Sequence, residues 1–310
     1  YDGGGTTLKS ASKTGYTFEG WYKEAKCTNK VTSLGATAYT SNITLYAKWT
    51  ANTYDVTLNP QSGTGETTSV TATYGSAMPT ITKPTRTGYT FNGYYDATSG
   101  GTQYYKADGS SARTWNKTVA TTLYAQWTAT DYTITYNTNG GNSIAQKTYT
   151  IETATFDLPT PKKTGHTFAG WYDNENLTGN KVTQVAKGST GNKTFYAAWT
   201  INQYTLTYSA GEGGSVTGNK ASGAKYDYNT SITLTAKPSA GNVFVEWVNE
   251  SGTMVSTANP YTFDLTEHKT VKAEFAPPTT VYLKPVDFWP ADKARFAIYT
   301  WGAGKTDRWV

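Results

Sequence analysis

The chain is 310 residues long and carries a formal net charge of +5, almost wholly on lysine, with arginine only at Arg86, Arg113, Arg295 and Arg308. That scarcity argues against nucleic-acid recognition, which leans on bidentate guanidinium contacts. The single cysteine, Cys27, leaves no partner for an intrachain disulfide, and no stretch approaches the ~18–20 apolar residues needed to span a bilayer.

Tyrosine (25), tryptophan (10) and phenylalanine (10) supply much of the apolar content, which favours strands and turns over helices. They recur in order. The first motif is Gly15-Tyr-Thr-Phe18-Glu-Gly-Trp21, and its copy closes on Leu45-Tyr-Ala-Lys-Trp49. Tyr1 to Phe18 matches Tyr74 to Phe91 in length, so the chain is expected to open partway through a repeat, without the hairpin that opens later copies.

The second copy runs from a strand at Tyr54–Leu58 through Gly88, Phe91 and Tyr94 to Leu123, Ala125 and Trp127. Its motif glycine lies 39 residues before its closing aromatic, against 34 in the other three copies. The five extra residues fall around Thr98–Arg113 and are expected on a surface loop.

In the third copy, Tyr132–Tyr136 alternates as a strand. Asn137–Asn142 is rich in residues that tolerate positive φ and predicts a tight hairpin turn. Ile144–Ile151 follows as a second strand, and Leu158-Pro-Thr-Pro161 is a stiff connector. Gly165, Phe168 and Trp171 then lead to Phe195-Tyr-Ala-Ala-Trp199. A fourth, blurred copy carries Gly241, Phe244, Trp247 and Phe275.

The closing strands put Leu45/Ala47/Trp49, Leu123/Ala125/Trp127 and Phe195/Ala197/Trp199 on a core face and Tyr46, Tyr124 and Tyr196 on the other. Phe18, Trp21, Trp49, Phe91, Tyr94, Trp127, Phe168, Trp171, Trp199, Phe244, Trp247 and Phe275 are accordingly expected to form the repeat cores. Between each closing Trp and the next opening Tyr lie four residues containing neither Gly nor Pro. Such junctions predict limited bending and a rod in which each unit adds roughly 30 Å. Ala276-Pro277-Pro278-Thr279-Thr280 instead marks a linker. The expected domains are 1–50, 51–128, 129–200 and 201–276, followed by linker and further module at 277–310.

Thr14-Gly-Tyr-Thr-Phe-Glu-Gly-Trp-Tyr22 and Thr164-Gly-His-Thr-Phe-Ala-Gly-Trp-Tyr172, with their closing strands, resemble the Listeria–Bacteroides repeat, the B-repeat of internalin-type bacterial surface proteins. The resemblance covers roughly residues 1 to 200. Gly211-Glu-Gly-Gly-Ser-Val216, Ile232–Pro238 and Val271–Phe275 resemble its divergent relative. What it implies is a mainly β chain of small β-grasp-like, SUMO-like domains in an extracellular, multi-domain bacterial protein.

Val281–Val310 is similar to the opening strands of a starch-binding-type β-sandwich. Trp289, Tyr299 and Trp301 are its candidates for stacking on sugar rings. The competing reading is buried core, because Ala294–Trp301 is apolar on both faces.

Chemistry-bearing residues are sparse. His166 occupies the Tyr slot of the motif and His268 a turn, and neither belongs to a nucleophilic set. No four-ligand zinc cluster and no carboxylate pair across a cleft can be drawn. Asp173-Asn-Glu-Asn176 reads as a solvated loop. No enzyme activity, cofactor or metal is expected. The leading functional expectation is an extracellular stalk or adhesin spacer presenting a distal module. The alternatives are a glycan-binding accessory region of a secreted polysaccharide-degrading enzyme and a self-assembling filament subunit. Expected partners are a host or environmental glycan, a surface protein, or another copy of the chain.

Overall fold

A computed structural model describes residues 5–37 and 41–279, together with two short strands, Tyr299–Thr300 and Arg308–Trp309. The described chain is all strand and turn, with no helix. It divides into two compact units, Tyr1–Thr135 with Gln146–Asp157 and Gln184–Lys193, and Tyr136–Ala145 with Leu158–Thr183 and Thr194–Val310. The division falls inside the third repeat.

Within the first unit, the second repeat forms a five-stranded sheet. Its order is Ser69–Thr73, Thr53–Asn59, Thr121–Ala129, Tyr89–Tyr95, Gln103–Tyr105. The opening and closing strands pair in parallel from Val56↔Thr121 to Asn59↔Tyr124, and all other neighbours are antiparallel. A parallel pair needs a long crossover, here residues 60–120, which contain the motif strand itself. Alternation along Thr53–Asn59 buries Val56 and Leu58, which meet Leu123, Phe91 and Tyr94 in the core.

The stretch around Thr98–Arg113 is not all surface loop, and its edge strand has counterparts at Lys30–Val31 and Met254–Ser256 in copies without the extra residues. Gln103–Tyr105 becomes the edge strand, and Tyr104 and Tyr105 are 1% and 0% exposed. Tyr104 lies 5.2 Å from the ring of the fully buried Trp115. The expected surface loop is thus partly core, because its aromatics bury more apolar area inside than a solvated loop leaves exposed.

The first repeat has a three-stranded sheet, Lys30–Val31, Tyr16–Tyr22, Tyr46–Ala51. The third contributes a hairpin with Tyr132↔Tyr149 and a strand pair with Phe156↔Val185 to the first unit.

In the second unit the third repeat pairs His166–Tyr172 with its closing strand. The fourth repeat reproduces the order of the second: Ala224–Asp227, Gln203–Ala210, Lys269–Ala276, Val243–Val248, Met254–Ser256, again with opening and closing strands parallel. A second antiparallel sheet, Gly214–Gly218, Thr230–Pro238, Tyr261–Leu265, accompanies it. Leu206, Ile232, Leu234, Trp247, Leu265 and Val271 form its core.

The hairpin turns follow the local sequence. Asn139 and Gly140 have φ of 48° and 85°, and the Gly141 amide donates to the Thr138 carbonyl at 3.0 Å, a type I′ pattern. The second repeat makes the same turn with Gln61 (φ 50°) and Ser62 (φ 66°), residues that adopt that region at a cost.

Candidate functional site

The motif spacing places Phe and Trp three residues apart, which in a regular strand puts them on opposite faces. A β-bulge reverses that. Phe18 pairs with Trp49, Gly20 with Lys48 and Trp21 with Ala47, so Glu19 is the extra residue and Phe18 and Trp21 face the same way. The other copies skip Asn92, Ala169 and Val245 in the same manner. In the first three copies the residue after the bulge is a glycine with φ of 140°, 133° or 135° (Gly20, Gly93, Gly170), a region other residues rarely adopt.

The outcome is one aromatic triad per copy. Phe18 lies 5.4 Å from Trp21 and 5.2 Å from Trp49; Phe91 lies 5.3 Å from both Tyr94 and Trp127. Phe168 lies 5.5 Å from Trp171 and from Trp199; Phe244 lies 5.5 Å from Trp247 and 6.2 Å from Phe275. These tilted and edge-on pairs are the favoured aromatic geometries. Phe91, Tyr94, Trp171 and Trp247 are buried, and the closing aromatics are half-buried. The tryptophans also tie down loops. Trp127 and Trp199 donate to the turn carbonyls of Pro60 and Thr138, and Trp21, Trp171 and Trp247 to those of Lys9, Pro159 and Ala258.

The arrangement that repeats most closely is at the junctions, each of which lies within one unit. Only Asn52 separates the strands Tyr46–Ala51 and Thr53–Asn59. Its amide donates to the carbonyl of Gly15 at 2.9 Å, and its carbonyl accepts from the Tyr74 amide at 2.9 Å. A Cβ on Gly15 would overlap the Tyr74 ring.

At the next junction the Thr130 amide donates to Gly88, and Ile151 covers that glycine. Tyr89 adds a 2.8 Å hydrogen bond to the Glu152 carboxylate, the main cause of its raised pKa. At the third, the Asn202 amide donates to Gly165 and the Tyr228 amide to the Asn202 carbonyl, both at 2.8 Å, with the Tyr228 ring against Gly165. Thr17 and Thr167 cement the outer two by donating to Asn52 and Asn202. The first motif glycine is therefore a socket, and a side chain of the following copy fills it.

The fourth copy differs. Gly241 keeps its positive φ of 81°, and no described residue lies within 4 Å of where its Cβ would be. The residue matching Asn52, Thr130 and Asn202 is Pro278, which has no N–H to donate.

A second recurring feature precedes each socket. Lys13 lies 4.0 Å over the ring of Tyr16, Arg86 3.7 Å over Tyr89, and Lys163 5.9 Å from Trp199. Around Arg86 the second repeat opens a groove of about 660 Å³, lined by Ser62, Thr64, Lys83, Tyr89, Phe91 and Trp127 among others.

The two histidines stay apart. His166 Nδ1 lies 2.9 Å from the Thr164 carbonyl oxygen, and His268 Nδ1 accepts from the Thr205 amide at 3.0 Å. Among the described residues no three His, Cys, Asp or Glu are grouped to hold a metal, and no helix is long and apolar enough to cross a membrane. Carboxylate shifts have local causes. Lys48 and Thr50 hold Glu19 below its ordinary value, and the Thr102 amide followed by Lys117 does the same for Asp96. Trp289 and Trp301 lie outside the described residues, and Tyr299 is described only as part of a short strand with Arg308–Trp309.

These features define an all-β tandem-repeat protein in which aromatic triads build each copy and glycine sockets join one copy to the next. The Listeria-Bacteroides repeat domain matches residues 1–48, 54–126 and 132–198, and the divergent InlB B-repeat domain matches 204–279; the chain belongs to the Listeria-Bacteroides repeat family.

Two relatives from Evansella cellulosilytica, provisionally named a membrane protein and a Gly-rich membrane protein, are 29% and 30% identical over 77% of this chain. Internalin H of Listeria monocytogenes is 38% identical over 44% of it. The chain spans 35%, 26% and 24% of the lengths of these three.

Proposed function

We propose that this chain is a non-enzymatic extracellular segment of a bacterial surface protein, a spacer that presents a distal binding module. The observation that carries this reading is the socket contact, repeated at three junctions with the same backbone hydrogen bond and a packed side chain each time. A flexible tether needs none of these contacts. A spacer that holds distance needs every junction fixed, because one free joint lets the ends approach. The internalin relative and the repeat family support placement at a cell surface.

The test is a distance distribution between spin labels at Glu175→Cys and Glu250→Cys, both exposed positions in the second unit, in a Cys27→Ser background. A narrow distribution is expected, broadened by Gly165→Ala. A distribution in the unmodified repeats as broad as that of an unstructured linker would refute the spacer reading.

A further inference from the structure

We propose that the groove of the second repeat is a binding site for an acidic polysaccharide, one bearing carboxylate or sulfate groups. The inference is independent of the spacer reading, since it makes the repeat itself a receptor. The groove, at about 660 Å³, falls within the ~300–1,000 Å³ typical of small-ligand sites. Three chemistries converge in it. Tyr89 and Trp127, both half-buried, supply aromatic surface for the apolar face of a sugar ring, with the buried Phe91 behind them. Ser62, Thr64, Thr85, Thr87 and Thr90 supply hydroxyls. Lys83 and Arg86 supply positive charge.

The cations decide the ligand's sign. Neither Lys83 nor Arg86 has an ion-pair partner among the described residues, whose salt bridges are Lys48–Glu19, Lys117–Asp96 and Lys272–Glu274. The acidic groups nearby are occupied or set aside. Asp108, beside the lining residue Ala107, accepts from the amide and hydroxyl of Ser110. Glu152 is taken by the Tyr89 hydroxyl. Glu66 lines an adjoining groove that shares Lys83 and stays beyond ion-pair distance of it.

Arg86 covers Tyr89 at 3.7 Å, so the guanidinium is held in place before any ligand arrives. One arginine and one lysine among five Ser and Thr hydroxyls fit a sparsely charged sugar chain better than a nucleic acid, whose every residue carries a phosphate. The cation two residues before the motif glycine recurs as Lys13 and Lys163, while Ser239 replaces it in the fourth copy. Lys83 has no counterpart at Ser10 or Thr160, which makes the second copy the strongest site.

The experiment titrates the intact chain with four probes at low and physiological salt: a polyuronate hexasaccharide, a sulfated hexasaccharide, a neutral glucan hexasaccharide and a single-stranded oligonucleotide of matched charge. Binding is followed calorimetrically and by amide shifts of residues 83–91. One or both acidic sugars should bind and the neutral glucan should not. Lys83→Gln, which touches no packed ring, should weaken binding about fivefold, and Lys83→Gln with Arg86→Gln about 25-fold. Lys187→Gln, an exposed lysine outside the groove, should change nothing.

Near-ultraviolet circular dichroism checks that Arg86→Gln leaves the aromatic packing intact; if it does not, Lys83→Gln alone decides. The proposal is overturned if neither acidic sugar binds, if the neutral glucan binds equally, if the oligonucleotide binds more tightly than both sugars, or if Lys83→Gln binds like the parent chain.

Discussion

Gly165→Ala tests the socket against a built-in control, Gly241→Ala. Both glycines stand at the same place in the same turn, with φ of 69° and 81°. An alanine at either site adopts a left-handed conformation costing about 1–2 kcal/mol, offset by about 0.4–1 kcal/mol because alanine constrains the unfolded chain. The net cost at Gly241, where no described residue lies within 4 Å, is therefore on the order of 1 kcal/mol or less.

At Gly165 the new methyl meets Cγ and the adjoining carbons of the Tyr228 ring, atoms close to that residue's backbone that cannot swing clear. Overpacking of this kind adds about 1–3 kcal/mol. The readout is hydrogen exchange at the Asn202 and Tyr228 amides, which donate to Gly165 and Asn202. Gly165→Ala should speed their exchange roughly 5- to 150-fold, and Gly241→Ala should leave them unchanged, since each ~1.4 kcal/mol is tenfold. In a Tyr228→Ala background, the further cost of Gly165→Ala should fall to that of Gly241→Ala. Equal effects of the two glycine substitutions on these amides would refute the socket as a packed contact.

Three further outcomes follow from the second repeat. The Tyr105 hydroxyl is buried without a hydrogen-bond partner among the described residues, whereas the Tyr104 hydroxyl donates to Asn116 at 2.7 Å. In thermal unfolding, Tyr105→Phe should therefore stabilise by about 1 kcal/mol and Tyr104→Phe destabilise by about as much; the reverse order would contradict the buried-hydroxyl argument. Ser62→Gly places a permissive residue at φ 66° in the type I′ turn and should stabilise by about 1 kcal/mol in urea unfolding, an expectation that a lowered midpoint would defeat. Asp96 is held below its ordinary pKa in the folded state, so its contribution is full above about pH 4 and is lost as pH falls through the folded value. Asp96→Asn should accordingly flatten the acid limb of a stability–pH curve, and an unchanged limb would show that the Thr102 and Lys117 bonds are not stabilising.

Sequence alone determined the class of structure and its period. Alternation at Tyr54–Leu58 and Tyr132–Tyr136, the Asn139-Gly140 turn and the spaced aromatics are local signals, written in neighbouring residues and read from a single stretch of chain. The same reading identified the aromatics but left unexplained how Phe18 and Trp21, an odd number of residues apart, share a face; the bulge that permits it exists only once the closing strand is paired beside them.

Tertiary structure decided what each glycine is for. Gly15, Gly88 and Gly165 look like turn residues in the sequence, and so does Gly241. Only folding brings Tyr74, Ile151 and Tyr228, each some sixty residues downstream, onto the first three, while no described residue reaches the fourth. It also gathered Ser62, Lys83, Arg86 and Trp127 along one groove from three separate stretches. Burying Tyr104 and Tyr105, in what composition marks as a polar loop, has the same origin. Periodicity reports which residues face inward along one strand, while contacts between distant strands depend on register and crossover, which no short window of sequence contains.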